Sequence, residues 1–156
     1  MKIIVLAGGL STERDVSLSS AAGICRTLVE KGHDAFLLDV FMGLENAPEN
    51  LEDVFTLPDH GLEIVKNIST EEPDLEAVKA SRPDQSDCFF GPNVIELCRL
   101  ADITFLGLHG GEGENGKLQA SFDLLGIKYT GPDSLGCAVA MHKGVAKQIL
   151  LETGVD

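Results

Sequence analysis

The sequence predicts an α/β domain with an open parallel sheet and helices on both faces. A short apolar run at residues 2–7 is followed by a glycine pair, a helical pattern from Leu18 to Val29, and a second apolar run at residues 34–40. This order is a strand–helix–strand unit, which is right-handed in nearly all proteins. A third apolar run at residues 102–108 leads directly into a second glycine-rich stretch. We therefore expect these three runs to form neighbouring parallel strands.

The first glycine-rich stretch, residues 8–18, connects the first strand to the first helix. In open α/β sheets such connections lie at the carboxyl edge, where ligands bind. Asp15 or Ser17 is expected to cap the helix. Glu13 has no such structural task, so its carboxylate either interacts with the helix dipole or binds a ligand, and the residues alone leave both interpretations open. Asp39, which ends the second strand, is interpreted as structural because the glycine fingerprint of dinucleotide-binding domains is missing.

Residues 41–92 are the least regular part of the chain, because they hold five of its six prolines and most of its net negative charge. Residues 54–57 and 62–65 predict the two strands of a hairpin. His60, in the turn between them, is expected to be exposed. Residues 69–88 are polar and acidic, which is typical of a short helix or a mobile loop. We expect this segment to be mobile or irregular and to take no part in a binding site.

The second half of the chain alternates again between helices and strands. The pattern predicts a helix at residues 93–100, a buried strand at 102–108, a helix at 117–125, a short strand at 127–130 and an amphipathic helix at 142–153. Between the strand and the helix that follows it lie residues 109–116, with four glycines in eight positions. Such a loop needs unusual backbone angles or approaches a ligand closely.

Composition excludes several classes of function. The net charge of −13 opposes a nucleic-acid partner. No apolar run is long enough to span a membrane, and no secretory signal is expected. The cysteines lack the paired spacing of a metal site, so we assign no metal ligand in this chain and expect reduced thiols in a cytoplasmic protein. They are Cys25, Cys88, Cys98 and Cys137, and all but Cys88 stand in apolar, buried settings.

Four motifs together resemble one enzyme family. They are residues 8–18, the run His-Gly-Gly-Glu-Gly-Glu-Asn-Gly at 109–116, Tyr-Thr-Gly at 129–131 and Met-His-Lys at 141–143. Their order and spacing resemble those of the D-alanine–D-alanine ligases, which are ATP-grasp enzymes. The resemblance covers almost the whole chain and is weakest over residues 41–92. The first two motifs carry it, because the last two alone are common.

The resemblance implies both a fold and an activity. It implies a Rossmann-like, pre-ATP-grasp, substrate-binding domain at residues 1–131, followed at 132–156 by the beginning of a central ATP-grasp domain. The family uses ATP and Mg²⁺ to phosphorylate one D-alanine carboxylate. The amine of a second D-alanine then attacks the acyl phosphate, giving the dipeptide for peptidoglycan. We expect the polypeptide to continue past Asp156 and this chain alone to be inactive. The resemblance leaves a homodimer open.

The resemblance also assigns site residues. Glu13 resembles the carboxylate that holds the ammonium of the first D-alanine, and His109 resembles the histidine beside that substrate's carboxylate. These two are the implied catalytic residues, with Ser17 and Gly110 as further substrate-binding positions. Lys143 resembles the lysine that reaches the ATP phosphates. From spacing alone, a loop histidine and a solvated lysine at a helix start are the simpler interpretations of His109 and Lys143.

Two departures and two alternatives accompany this interpretation. Asn115 and His142 stand where the family usually has acidic residues. If the acid replaced by His142 only caps a helix, little is lost, whereas if it positions Lys143, nucleotide binding is affected. One alternative is another ATP-grasp ligase that takes D-lactate or D-serine as second substrate. The other is a free-standing α/β module that binds a small amino acid without catalysis.

Overall fold

A three-stranded parallel sheet forms the centre of the computed structural model, which describes residues 1–65 and 72–154. The strands are β1 at Lys2–Ala7, β2 at Asp34–Asp39 and β3 at Ile103–Leu106, with β1 in the middle. Because all three run parallel, their carboxyl ends meet at one edge of the sheet. The predicted neighbouring strands are therefore confirmed.

The described residues also form six α-helices. They are α1 at Arg14–Glu30, α2 at Leu75–Ser81, α3 at Val94–Leu100, α4 at Lys117–Leu125, α5 at Ser134–Met141 and α6 at Lys143–Glu152. The predicted short strand at 127–130 is reduced to one parallel bridge between Thr104 and Tyr129. No helix of the described residues combines the length and the apolar character needed to cross a membrane.

The register of the sheet sends alternate side chains into two opposite cores. Ile4 in the middle of β1 pairs with Phe36 of β2 and with Thr104 of β3. On the face of Ile4, the core is completed by α3, α4 and a 3₁₀ helix through Val54, Phe55, Val94, Leu97, Leu118 and Phe122. On the other face, α1 packs on the sheet through Leu18, Ala21, Ala22 and Cys25. Helices thus cover both faces, as the sequence predicts.

The hairpin predicted between residues 54 and 65 is wrong. The chain forms two 3₁₀ helices instead, Leu51–Thr56 and Leu62–Ile64. The reason lies in the burial of Val54 and Phe55, which are neighbours and are both almost fully buried. A strand would send these two side chains to opposite faces, whereas a helical turn delivers both to the same core. The carbonyl of His60 accepts a hydrogen bond from the Leu37 N–H at 2.9 Å, so this segment covers the edge of β2, and His60 is half-buried.

Part of the acidic segment is an ordered helix. α2 begins after Asp74, whose side chain accepts hydrogen bonds from two backbone N–H groups of the first turn. The short helix, one of the two alternatives for residues 69–88, is therefore confirmed at Leu75–Ser81, and the expectation that the segment is irregular or mobile is wrong there. Residues 69–71 lie outside the described residues. A side-chain carboxylate at the helix start outweighed the acidic composition of the segment. That the segment takes no part in substrate binding stays a prediction.

A buried arginine fastens the chain that follows α2. The side chain of Arg82 is almost fully buried, and it donates to the carboxylate of Asp84 through Nε at 2.6 Å and Nη2 at 3.0 Å. These hydrogen bonds hold the pKa of Asp84 below its usual range. Nη1 also donates to the carbonyl of Cys88 at 2.6 Å, and the guanidinium lies 4.7 Å from the Phe41 ring centre. Arg82 thereby ties residues 82–90 to the end of β2.

The last two helices pack on each other as a hairpin. α5 begins after Asp133, whose carboxylate accepts from the Gly136 N–H at 2.7 Å. Several large apolar side chains of the hairpin stay exposed, namely Leu135, Met141, Val145, Ile149, Leu150 and Leu151. The division of the chain at residue 131 stays a prediction.

Candidate functional site

Two glycine-rich loops lie side by side at the carboxyl edge of the sheet. The Ser11 hydroxyl donates to the carbonyl of His109 at 2.7 Å, and the Ser17 hydroxyl donates to the carbonyl of Gly107 at 2.8 Å. The Ser17 oxygen also accepts from the Gly8 N–H at 3.0 Å. The first two of these bonds join the loop after β1 to the loop after β3, so the two motifs that carry the resemblance form one surface. We call this surface, formed by residues 8–18 and 107–116, the cleft.

Ser17 is fully buried, and it both donates and accepts a hydrogen bond within the fold. Its contacts therefore account for a structural role, and a direct contact with substrate stays a prediction that these bonds do not support. The expected capping of α1 by Asp15 or Ser17 is wrong, because the helix starts at Arg14 and the N-cap position belongs to Glu13. Ser17 is the fourth residue of the helix, and its hydroxyl bonds to Gly8 and Gly107 instead of to the helix start.

Glu13 occupies the N-cap position without capping the helix through its side chain. The residue is exposed, and its carboxylate makes no ion pair with a side chain of the described residues. A methyl group built on Gly110 would lie 3.0 Å from Glu13 Oε2. The carboxylate of the first motif therefore rests against the backbone of the second motif, beside His109.

His109 is half-buried, and its ring contacts α1. Its Nε2 lies 3.1 Å from the hydroxyl oxygen of Ser20. Ser20 is not among the residues predicted from the sequence, although it stands three residues after Ser17 and therefore on the same side of the helix. That spacing is the one signal that could have indicated it.

A buried ion pair supports the loop that carries Glu13. Arg14 and Asp39 are both buried, and the guanidinium donates to both carboxylate oxygens. Arg14 also donates to the Gly9 carbonyl at 2.7 Å. Asp39 accepts in addition from the backbone N–H groups of Phe41 at 2.9 Å and Met42 at 3.1 Å. The interpretation of Asp39 as structural agrees with these bonds.

The backbone at Gly8 approaches this ion pair so closely that no side chain fits. Gly8 has φ +73°, and a Cβ there would lie 2.6 Å from the carboxyl carbon of Asp39. Left-handed backbone and a contact this short both require glycine. Adjacent residues therefore have opposite tasks, since Arg14 is buried to hold the loop while Glu13 is exposed above it.

Lys143 lies at some distance along the chain, as the first residue of α6. It is exposed, and the first turn of the helix contains no acidic residue. Nδ1 of His142 accepts a hydrogen bond from the Val145 N–H at 3.2 Å, which is the bond of an N-cap side chain. His142 therefore supplies the capping contact that an aspartate at this position would make.

No group of three or more histidine, cysteine, aspartate or glutamate side chains within residues 1–65 and 72–154 is arranged to hold a metal ion. Among the ionisable side chains at the cleft itself, the buried Arg14 and Asp39 neutralise each other, which leaves Glu13 as an exposed carboxylate.

Comparison with known proteins places the chain in a family. The family model of the D-alanine–D-alanine ligase N-terminus matches residues 2–132. The chain belongs to this family. It is 45% identical over 156 residues to the D-alanine–D-alanine ligase of Lacticaseibacillus casei and 48% identical over 160 residues to that of Pediococcus pentosaceus. These alignments cover 100% and 99% of this chain but 43% and 44% of the two ligases, so the chain spans less than half their length.

Solved structures show the same fold. The D-alanine–D-alanine ligase of Bacillus anthracis, crystallised in complex with ATP, matches 100% of this chain and 38% of its own with a TM-score of 0.61 and 22% identity. The ligase of Coxiella burnetii matches 99% of this chain and 42% of its own with a TM-score of 0.59 and 24% identity. At these identities the likeness establishes the fold, which is the α/β architecture that the sequence predicts.

Proposed function

We propose that this chain is the substrate-binding, amino-terminal part of an ATP-dependent D-alanine–D-alanine ligase, which makes the dipeptide for peptidoglycan. The family and the names of the relatives support the reaction. The observation that carries the role of this chain is the exposed Glu13 carboxylate, which lies against Gly110 of the second motif. A carboxylate that stands on a fixed loop and makes no ion pair with a described residue is suited to bind a small cation.

Glu13 holds the ammonium group of the first D-alanine in this proposal. The Glu13 carboxylate makes no capping hydrogen bond to the helix, so it is available to a ligand. Its backbone is held in place, because the Arg14–Asp39 pair and the Ser11 and Ser17 hydroxyls fix the loop. The entropic cost of ordering the loop that carries this carboxylate is therefore incurred when the chain folds and not when a ligand binds.

His109 and Gly110 complete the first substrate position. The imidazole stands next to the glycine against which Glu13 rests, so a zwitterion held by Glu13 places its carboxylate within the same loop. A histidine at the end of a strand can donate to that carboxylate. Gly110, at φ +70°, keeps a side chain out of the space in front of Glu13.

Lys143 contributes to ATP binding in this proposal. An exposed lysine in the first turn of a ten-residue helix suits the phosphates, because the helix N-terminus and the ammonium both favour an anion. ATP supplies the phosphoryl group that activates the D-alanine carboxylate. No group of three or more histidine, cysteine, aspartate or glutamate side chains among the described residues suits Mg²⁺, so the proposal assigns none of them to the metal.

D-alanine and ATP are thus the proposed ligands. We also propose a cytoplasmic location, which is supported by the four free cysteines, three of them buried. The charge of −13 continues to oppose a nucleic-acid partner. A homodimer stays open, and sedimentation of the full-length protein would decide it.

The test is Glu13→Gln in the full-length ligase that the proposal implies. Glutamine keeps the shape of the side chain and removes its charge. Loss of a charge-assisted contact costs about 1.5–3 kcal/mol, which we expect to weaken apparent affinity for the first D-alanine by about tenfold to a hundredfold. Steady-state kinetics over a range of D-alanine concentrations and thermal melting measure the two effects separately.

Glu30→Gln is the matched control, because it removes an exposed carboxylate at the opposite end of the same helix. We expect this variant to bind D-alanine as the unmodified protein does. Unchanged kinetics of Glu13→Gln together with a lower melting temperature would show that Glu13 serves only the helix start. The proposed binding site would then be wrong, whatever the reaction of the whole protein.

A further inference from the structure

We propose that Ser20 is a positioning residue for His109. The Ser20 hydroxyl accepts a hydrogen bond from the imidazole ring and thereby fixes which ring nitrogen carries the proton. The Ser20 hydroxyl has a single proton, and it lies 3.1 Å from the carbonyl of Ser17 one helical turn earlier. A serine hydroxyl that donates to this carbonyl has only its lone pairs left for a second partner. That second partner is Nε2 of His109, at 3.1 Å.

The proton on His109 follows from this count. Because the Ser20 oxygen accepts, Nε2 must carry a hydrogen, and the neutral ring then has a bare lone pair on Nδ1. Nδ1 makes no hydrogen bond to a described residue. It is therefore the ring nitrogen that is available to a ligand.

A chemical consequence follows for a ligand carboxylate, and this step rests on the proposed function. A lone pair on Nδ1 repels a carboxylate oxygen, so the ring donates to a carboxylate only when Nδ1 is protonated as well. Where the free ring is neutral, Nδ1 therefore gains a proton when an amino-acid carboxylate binds at His109, and Ser20 accepts from Nε2 on the other side of the ring. The other ionisable residues on the elements around the ring are Glu13, Arg14 and Asp15 of the first motif and Glu112 and Glu114 of the histidine's own loop.

The tautomer can be tested without any ligand. Nitrogen-15 NMR of the protein labelled at histidine distinguishes a protonated from a bare ring nitrogen, and His109→Asn identifies the signals. At a pH where the spectrum shows a neutral ring, we expect a protonated Nε2 and a bare Nδ1 for His109. Ser20→Ala should give a mixture of both tautomers, whereas Ser20→Thr, which keeps the hydroxyl, should retain the single form.

Ser19→Ala is the control for the helix, because Ser19 is the preceding serine and its hydroxyl makes no hydrogen bond to a described residue. This variant should leave the His109 spectrum unchanged. A bare Nε2 in the unmodified protein, or an unchanged tautomer in Ser20→Ala, would overturn the proposal. Neither result depends on D-alanine binding, so this failure is distinct from a failure of the proposed function.

The ligand step is tested by calorimetry of D-alanine binding in two buffers with different ionisation enthalpies. At a pH where the NMR spectrum shows a neutral free ring, we expect net proton uptake, of up to one proton per site, in the unmodified protein and in Ser19→Ala. Ser20→Ala should bind D-alanine about two- to tenfold more weakly, which is the range for one hydrogen bond, and Ser20→Thr should restore the affinity. Binding without proton uptake would overturn the ligand step. Absence of D-alanine binding altogether would instead count against the proposed function.

Discussion

The cleft and the α5–α6 hairpin present their charged side chains in opposite ways. At the cleft, Glu13 and His109 stand on loops that buried polar groups lock to the sheet. On the hairpin, Lys143 stands on a pair of helices whose large apolar side chains are mostly exposed, with Leu135 at 71% and Leu151 at 55%. Side chains proposed to bind ligands can thus stand on loops that are fixed by buried polar contacts, as Glu13 does, or on helices with few buried apolar contacts, as Lys143 does.

The cleft and the α5–α6 hairpin should therefore differ in local stability. A segment with few buried apolar contacts opens at a lower free energy than one in the centre of the core. The hairpin meets the rest of the described chain at α4, where the Ser134 carbonyl would lie 2.3 Å from a Cβ on Gly116. This contact of backbone on backbone joins the hairpin to the helix that follows the second glycine-rich loop.

The largest effect is expected from breaking the buried ion pair with Asp39→Asn. The variant keeps the shape of the side chain but leaves the buried Arg14 guanidinium without its counter-charge. Removing one partner of a buried pair costs about 3–5 kcal/mol. Urea denaturation should show a loss of this size in the free energy of unfolding, together with weaker D-alanine binding because the loop of Glu13 is released.

Asp34→Asn is the matched control, because Asp34 begins the strand that Asp39 ends and its side chain is exposed. This substitution should change the free energy of unfolding by a few tenths of a kcal/mol at most, as is usual for surface sites within about 0.5 kcal/mol. Equal losses for the two variants would show that the ion pair does not support the cleft.

A smaller effect is expected at the junction with the hairpin. Gly116 and Gly126 stand at the two ends of α4, and both have left-handed backbone angles. Alanine at either position incurs about 1–2 kcal/mol of backbone strain. Only Gly116 has a backbone atom in the way, because nothing lies within 4 Å of a Cβ on Gly126. Gly116→Ala should therefore cost about 1–3 kcal/mol more than Gly126→Ala, the typical range for overpacking.

Hydrogen exchange shows where the extra cost appears. In Gly116→Ala the amides of α5 should lose protection while those of β1 keep it, because the clash displaces the hairpin and leaves the sheet intact. Equal free energies of unfolding for the two alanine variants would mean that α5 does not rest on Gly116. The comparison between a rigid cleft and a weakly attached hairpin would then need another junction.

Short-range patterns predict the sheet and the location of the cleft, and long-range contacts explain what they miss. Apolar runs ending in glycines are local features, so the three strands and the position of Glu13 and His109 at one edge of the sheet could be predicted. Ser20 contacts a residue 89 positions away, and its spacing from Ser17 indicates the side of the helix on which it lies but not the partner that it meets. Val54 and Phe55 look like part of a strand until the core that buries both is known.

The smallest effect is expected from an experiment without any substitution, which compares the body of the domain with the hairpin through the reactivity of their cysteines. Cys88 is exposed, whereas Cys25 and Cys98 lie in the body of the domain and Cys137 lies in α5. Burial raises the pKa of Cys25 to about 11 and that of Cys98 to about 12. Burial and the nearby Asp133 carboxylate also raise the pKa of Cys137. Since only the thiolate reacts, each unit of raised pKa slows alkylation about tenfold below the pKa.

We expect iodoacetamide to label Cys88 first, Cys137 next, and Cys25 and Cys98 last, as measured by peptide mass spectrometry over time at a fixed pH. Cys137 lies on α5, so local opening of that helix exposes it while the sheet stays folded. Low concentrations of urea should accelerate Cys137 before the two body cysteines. If Cys137 instead reacts as slowly as Cys25 and Cys98 and accelerates together with them, the hairpin unfolds only with the sheet. The position of Lys143 would then be fixed as firmly as that of Glu13.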